Sequence, residues 1–460
     1  MKKFIWSFVF ILGFFLLPLT STQAASQEQS LVKEIKEIIQ NTYVGTINGN
    51  LEKATSIAEI IDMLDPYSTY FTKQEFEDYM NSINLSTIGI GVVIEEHEDG
   101  IHILQVIEGS GAFDAGLEAG DIIIAINGES IIGRSTQETS SLLTGNEGSQ
   151  VKVTLKDSNE ITTTKTTKTI TRKKFTLPNV QSELLFGHVG YISLASFSED
   201  GAQLVKKALV DLKKRGAKSF ILDLQNNGGG YVTTAEELTG LFPSAKVAYL
   251  LEEAHSSYTI PAVKQSTKFP VNTRILVNRY SASASEMLSA SLKDQKAAIL
   301  YGETTYGKGA MQGFYMLHDG SYLKLTVGKF TGPAQQTIHE VGVKPNIQTT
   351  TAPIFQAHFD AIKEQYPQYK KLSSGQTAFQ AGKLTVKLPS TLVSQIDKGH
   401  IQLIALGADE VVATTKVEGQ TLIITPTSLL SPDQEYMLLI HPKKQGKTQK
   451  GYYHYIKFEN

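Results

Sequence analysis

The 460-residue chain contains no cysteine. That excludes disulfides, thiol nucleophiles, thiolate zinc sites and a lipidated N-terminal cysteine. It also lacks an excess of either charge. Lys and Arg number 43 against 46 Asp and Glu, a net of −3, which gives no support to nucleic acid as the main partner. His97-Glu98 and His339-Glu340 have no second histidine four positions after the first, so the zinc-protease helix is missing. No P-loop and no Gly-x-Ser-x-Gly elbow occurs, and the ten histidines form no close ligand set in the sequence. No metal and no cofactor are expected. Long apolar runs are missing too, with one exception at the N-terminus.

There, Lys2 and Lys3 precede an apolar run from Phe4 to Leu19, and a polar stretch ends in Thr22-Gln23-Ala24. A charged start, an apolar middle and a small-residue end make a secretory signal peptide, residues 1–24. Cleavage is expected after Ala24, with Ala25 the alternative. The run falls short of the ~20 residues that span a bilayer, which favours removal over retention as an anchor. The protein is expected to be exported, either secreted or held in the cell envelope. The only tryptophan, Trp6, lies in this segment.

At roughly 150 residues per domain the length suggests about three domains. Residues 25–85 read as helical: Leu31, Ile35, Ile38 and Ile39 recur at helical spacing, as do Ile57, Ile60, Ile61 and Leu64. Asp65-Pro66-Tyr67-Ser68 interrupts them. Residues 86–160 alternate short strands and turns. The Thr-, Lys- and Arg-rich stretch 162–174 reads as a solvated edge strand rather than a linker, because Thr favours strands. Residues 161–350 alternate strand and helix. Val189–Leu194, Phe220–Leu224, Ile275–Val277 and Ile299–Tyr301 read as strands. Ser198 reads as the cap of a helix with apolar face Leu204, Ala208, Leu209 and Leu212, and a further helix begins near Ser283. That rhythm predicts an α/β core. Residues 375–460 carry alternating strands and turns, which predicts a small all-β sandwich.

Within 86–160, Ile88-Gly89-Ile90-Gly91 places two glycines before a strand. Then come Gly111-Ala112-Phe113-Asp114-Ala115-Gly116-Leu117-Glu118-Ala119-Gly120-Asp121 and the Ile126-Asn127-Gly128 hairpin. Together these resemble a PDZ domain. The resemblance implies capture of an extended C-terminal tail by strand addition, with backbone N–H groups of Ile88, Gly89, Ile90 and Gly91 receiving the carboxylate. By themselves the two glycines are equally consistent with a β-bulge.

Two segments of the α/β block carry candidate chemistry. Asn278-Arg279-Tyr280-Ser281-Ala282-Ser283-Ala284-Ser285-Glu286 sits between a strand and a helix start. Gly302-Glu303-Thr304-Thr305-Tyr306-Gly307-Lys308-Gly309-Ala310-Met311-Gln312 follows the next strand. A serine hydroxyl needs a base, and a lysine serves only when neutral. Bringing its pKa from ~10.4 to about 7 costs roughly 4.6 kcal/mol, which desolvation can supply. Gln312 could accept a hydrogen bond from the amine without adding charge. The residues alone leave another reading open. Ser283-x-x-Glu286 fits a helix capping box, Ser281 or Ser285 could be the cap, and Lys308 could be an exposed turn lysine.

The whole order then resembles the C-terminal processing peptidases, carboxyl-terminal Ser–Lys proteases. The matching residues are Leu64-Asp65-Pro66-Tyr67-Ser68-Thr69-Tyr70, the PDZ segment, Ile221-Leu222-Asp223-Leu224-Gln225-Asn226-Asn227-Gly228-Gly229-Gly230, the two segments above, and Ile338-His339-Glu340-Val341-Gly342-Val343-Lys344-Pro345. The resemblance implies a crotonase-like core with an inserted PDZ domain that recruits substrate tails or gates the site. It implies Ser283 as nucleophile, Lys308 as general base and Gln312 as its orienting partner. Gly229, Gly230 and Ala284 would form the oxyanion hole. Partners would be protein substrates with exposed C-terminal tails, together with an activating or adaptor protein and a homodimer through the N-terminal helices. Three positions depart from the family pattern: Gln225 for the usual Arg, Gly228 for Pro, and Thr144 for a basic residue. Leu429 to Leu438 resembles late strands of bacterial Ig-like domains, so the sandwich is expected to be Ig-like. The alternative reading is a non-catalytic peptide-binding envelope scaffold.

Overall fold

In a computed structural model of the chain, residues 19–156, 166–372, 377–380, 382–394, 396–442 and 451–458 are described. The expected signal segment through residue 18 lies outside them, and the expected cleavage point falls inside a helix, Leu19–Thr42. Among the described residues no helix is long and apolar enough to cross a membrane. The chain forms two compact units. One comprises residues up to Phe76 with Glu253–Ser256 and Met311–Gly328; the other comprises the rest.

The first unit is built on the helical stripe legible in the sequence. Leu31, Val32, Ile35 and Ile39 pack on Leu51, Ile60, Leu64, Leu317, Leu323 and Leu325. The short helix Ile57–Asp62 starts at Ser56, whose hydroxyl accepts the Glu59 N–H. It cannot run through Pro66, since a proline disfavours helical geometry in the residue before it. Instead Asp65 Oδ1 accepts the N–H groups of Tyr67 and Ser68 at 2.8 and 3.0 Å, a turn that replaces the missing helical bonds. The chain then enters strand Thr69–Phe71, which pairs antiparallel with Tyr322–Lys324.

In the second unit, residues 92–171 form a sheet in the order Val92–His97, Gly100–Val106, Ile122–Ile126, Gln150–Lys156, Thr166–Thr171. Asn127 and Gly128 both take positive φ, 49° and 87°, as a two-residue hairpin turn requires. The helix Thr136–Leu143 opens with a capping box between Ser135 and Glu138. Thr166–Thr171 is an edge strand, as its composition predicts. Val92–His97 is the opposite edge.

A second, mostly parallel sheet of this unit runs Val180–Leu185, Val189–Leu194, Ser219–Asp223, Arg274–Val277, Ile299–Gly302, Ile347–Gln348. All neighbours are parallel except the first pair. Its central strands are fully buried runs, Phe220–Leu222 and Ile275–Val277, which is why the sequence there reads as continuous apolar residues. The helix Gly201–Lys214 covers it with Val205, Ala208, Leu209 and Leu212. Its N-cap is Asp200, not Ser198. Ser198 is turned inward, donating to Asp200 Oδ1 and accepting from Asn179.

The C-terminal residues form two four-stranded sheets, one holding Ile396–Ala405, Tyr436–Pro442 and Tyr452–Ile456, the other Lys383–Lys387, Thr421–Pro426 and Ala413–Glu418. Their facing sides share Leu384, Val386, Leu403, Leu422, Ile424, Leu438 and Ile440. The strand Tyr436–Pro442 is buried on both faces. Tyr436, Leu438 and Ile440 point between the sheets. Met437 and Leu439 point the other way, onto Phe359 and Ile362 of the helix Pro353–Gln365. That helix presses Ala357 and Ala361 onto Leu185, Ile221 and Leu276 of the parallel sheet.

His358 is the polar member of this junction and is fully buried. Nε2 donates to Phe186 O at 2.9 Å, and Nδ1 accepts the Gly407 N–H at 2.8 Å. The bond accepted by Nδ1 needs the neutral ring, since both nitrogens of the charged ring are donors. Burial lowers its pKa from 6.5 to about 4. Between those values the unfolded chain binds the proton and the folded one does not, so stability falls as pH drops from about 6.5 towards 4. The loss at this site is about 3 kcal/mol at most. In urea unfolding at pH 7 and pH 4, the His358→Gln protein should show a smaller pH-dependent loss than the wild type. An identical loss would show that His358 stays neutral in neither or both states.

Candidate active site

Three loops meet where neighbouring parallel strands end: 224–230 after Ser219–Asp223, 278–283 after Arg274–Val277, and 303–309 after Ile299–Gly302. The carboxyl ends of parallel strands are where open α/β sheets place their ligands.

The first two loops are stitched together by side chains. Asn226, at φ 60°, and Asn278 pair through Asn278 Nδ2 to Asn226 Oδ1 at 2.9 Å and Asn226 N to Asn278 Oδ1 at 3.0 Å. Asn227 is fully buried: Nδ2 donates to Leu194 O, Oδ1 accepts the Gly229 N–H at 2.9 Å, and its carbonyl accepts Ala282 N and Ser285 Oγ. Ser281 Oγ donates to Leu224 O at 2.7 Å.

This separates the three serines of Ser281-Ala282-Ser283-Ala284-Ser285. Ser281 and Ser285 are both 0% exposed, with hydroxyls spent on the neighbouring loop. Neither caps the helix. Ser283 is half-exposed and takes φ 56°, ψ −113° immediately before the helix Ala284–Asp294. Holding a non-glycine residue in such a conformation costs about 1–3 kcal/mol and is a mark of functional turns.

Gly229 and Gly230 have φ 102° and 142°. A Cβ on Gly229 would lie 2.9 Å from Ala284 N and from Ser283 Cβ, so this glycine presses its backbone against the serine turn. A Cβ on Gly230 would lie 2.3 Å from Phe197 O. Gly228 has no atom within 4 Å of such a Cβ. The Gly229 N–H is committed to Asn227, which corrects the expectation that it faces a reacting oxygen. Among the described residues the N–H groups of Gly230 and Ala284 donate to no protein acceptor. The helix start adds its partial positive charge there.

Gln225 donates from its backbone N and Nε2 to the two oxygens of Asp223, and Tyr191 donates to the same carboxylate. Burial pushes the Asp223 carboxyl above its usual range, and these bonds oppose the rise.

Lys308 is half-buried on the third loop. Glu286, 0% exposed, accepts four hydrogen bonds there: Oε2 from Ser283 N at 2.9 Å and Lys308 N at 2.7 Å, Oε1 from Gly307 N and Thr305 Oγ1, both at 2.6 Å. The expected capping box between Ser283 and Glu286 is thus present, and the same carboxylate also grips the lysine loop. Burial raises its pKa, and the four donors pull against that rise. Thr305 Oγ1 in turn accepts Val343 N at 2.7 Å, and Gly307 O accepts Glu340 N, so the 338–343 segment backs the lysine loop. Gln312 belongs to the first unit, where its Nε2 donates to Thr326 Oγ1 at 3.3 Å.

Of the expected peptide-binding residues, Ile88 and Gly89 are committed to a ribbon with Lys174 and Lys173. Ile90 is buried, and Gly91, at φ 85°, leads into the open edge strand Val92–His97. Thr144 follows the helix end, where its hydroxyl bonds Ser140 O. Asn227, Glu286 and Thr305 have site roles that residue-type reasoning missed. Among the described residues no group of three or more His, Asp or Glu could hold a metal.

Residues 188–349 match peptidase family S41, and residues 102–157 match a PDZ domain. The chain is 33% identical over 324 residues to the carboxy-terminal processing protease CtpA of Bacillus subtilis, covering 70% of this chain and 69% of that protein. It is 31% identical over 326 residues to a probable CtpA-like serine protease of Staphylococcus aureus, of which it spans 64%. Among solved structures it is similar to the photosystem II D1 C-terminal processing protease, with TM-score 0.47, 26% identity, and coverage of 73% of this chain and 96% of that one.

Proposed function

This chain belongs to peptidase family S41 and is a serine peptidase with a PDZ domain, and on that premise we propose that Ser283 and Lys308 are its catalytic dyad. The neutral Lys308 amine takes the Ser283 proton as Oγ attacks the scissile carbonyl. The Gly230 and Ala284 N–H groups receive the oxyanion, each such donor being worth about 3–4 kcal/mol to the tetrahedral intermediate. Lys308 then protonates the leaving amine, which yields an acyl-enzyme. It deprotonates the water that releases the acid. The role of Gln312 as orienting partner of the amine is part of the same proposal.

The observation that carries this reading is the fate of the three serines. Two are buried and bonded, and the third is presented at a strained helix start beside two unspent N–H groups. The open strand Val92–His97 offers an edge where a substrate tail would add as a further strand. We further read the parallel sheet as a crotonase-like core, the C-terminal sheets as an Ig-like sandwich, and the N-terminal segment as an export signal. Protein C-termini compared between cells carrying wild-type and Ser283→Ala protein should differ, with shortened termini in the wild type alone. Identical C-termini would contradict an endopeptidase acting near chain ends.

A further inference from the structure

We propose that Glu286 is the positioning residue that holds the nucleophile and the base in register, and that Thr305 completes this joint. The inference rests on the Ser283–Lys308 reading and adds the group that sets its geometry. Glu286 reaches the site as the third residue of the Ala284–Asp294 helix. In that position a glutamate ordinarily bonds the N-cap N–H and otherwise faces water. Here it is 0% exposed and all four of its bonds are internal. A single atom, Oε2, accepts the backbone N–H of both Ser283 and Lys308. The starting points of the two reactive side chains are therefore referenced to one oxygen. Oε1 fixes the lysine loop a second time through Gly307 N and Thr305 Oγ1.

The arrangement also answers an electrostatic problem. A buried carboxylate near the base would favour the ammonium and oppose its use. Four donors aimed at the two oxygens spread that charge into the backbone and the helix start. Thr305 relays the order outward, since its hydroxyl both donates to Glu286 and accepts Val343 N.

Glu286→Gln keeps the volume and replaces one acceptor oxygen by a donor, which turns one pair of bonds into donor–donor contacts. Thr305→Val keeps the branched shape and removes one donor. Thr305→Ser restores it. The test is the rate of covalent labelling of Ser283 by a fluorophosphonate probe, with peptide kcat and KM, at a temperature well below each protein's unfolding midpoint. Relative to wild type we expect Glu286→Gln to label about 100-fold more slowly and Thr305→Val about tenfold more slowly. Thr305→Ser should recover to within about threefold. The deficits should persist at high pH, because they arise from misplacement and not from titration. kcat should carry the loss and KM should not.

A wild type that resists labelling at Ser283 would overturn the dyad and the positioning role together. Labelled wild type with Thr305→Val and Glu286→Gln at its rate would overturn the positioning role alone. If Glu286→Gln does not fold, the valine–serine pair at Thr305 decides. A slower rate for valine with recovery by serine supports the proposal, and equal rates for the two refute it.

Discussion

Lys308→Ala and Lys308→Arg should each lower kcat/KM for a peptide with a free C-terminal carboxylate by about 10³–10⁴-fold. The arginine variant is the informative one. It keeps a cation on the same half-buried loop, so any role in binding the carboxylate or in structural pairing would survive. A guanidinium does not deprotonate in a protein, so a role as base would not. Steady-state kinetics of both variants decide between these. If Lys308→Arg retained a tenth or more of the activity, Lys308 would be acting as a charge and Ser283 would need another base.

Gly230→Ala should lower kcat by about 10²–10³-fold, the scale of losing one oxyanion donor. The cause is steric. The residue holds φ 142°, and an added Cβ would sit 2.3 Å from Phe197 O and 2.8 Å from Phe197 C. These are backbone atoms that cannot swing aside, because Phe197 and its neighbours are tied to the same turn by Phe197 N to Gly229 O and Tyr231 N to Phe197 O. The turn must therefore rotate, and the Gly230 N–H rotates with it. Gly228→Ala, two residues away, meets no atom within 4 Å. It should leave kcat within about twofold and raise stability by about 0.4–1 kcal/mol by restricting the unfolded chain. Kinetics and thermal midpoints of the two variants side by side check both halves. Equal activity in Gly230→Ala and wild type would remove this turn from catalysis.

Four of the six strands of the parallel sheet were legible as short apolar runs, and Val189–Leu194 occurs with the expected bounds, whereas Val180–Leu185 and Ile347–Gln348 were not read as strands. The first unit's helical stripe was legible for the same reason: its period is local. What was not legible depends on contacts far apart in sequence. Ser281 and Ser285 look like alternative caps until a loop 57 and 58 residues earlier is laid against them. Glu286 reads as a capping residue because nothing in its own neighbourhood announces a lysine loop 22 residues on. Ile88 and Gly89 read as a carboxylate loop because their ribbon partners, Lys174 and Lys173, lie past the entire module. The Tyr436–Ile440 run gave a strand but not its two-sided burial, which comes from a helix 75 or more residues upstream. Gly229 entered only through the family resemblance, as an oxyanion donor, and the partner of its N–H is an asparagine side chain two residues before it, a bond that composition does not reveal.

The most direct measurement is the pH profile of fluorophosphonate labelling at Ser283, in which Oγ displaces fluoride from phosphorus, mapped by peptide mass in wild-type and Lys308→Arg protein. The wild type should be phosphonylated at Ser283 with a rate that rises through a single ionisation, and the arginine variant should lose both the rate and that ionisation. Adducts on another residue, or the same profile in the two proteins, would contradict a Ser283–Lys308 dyad.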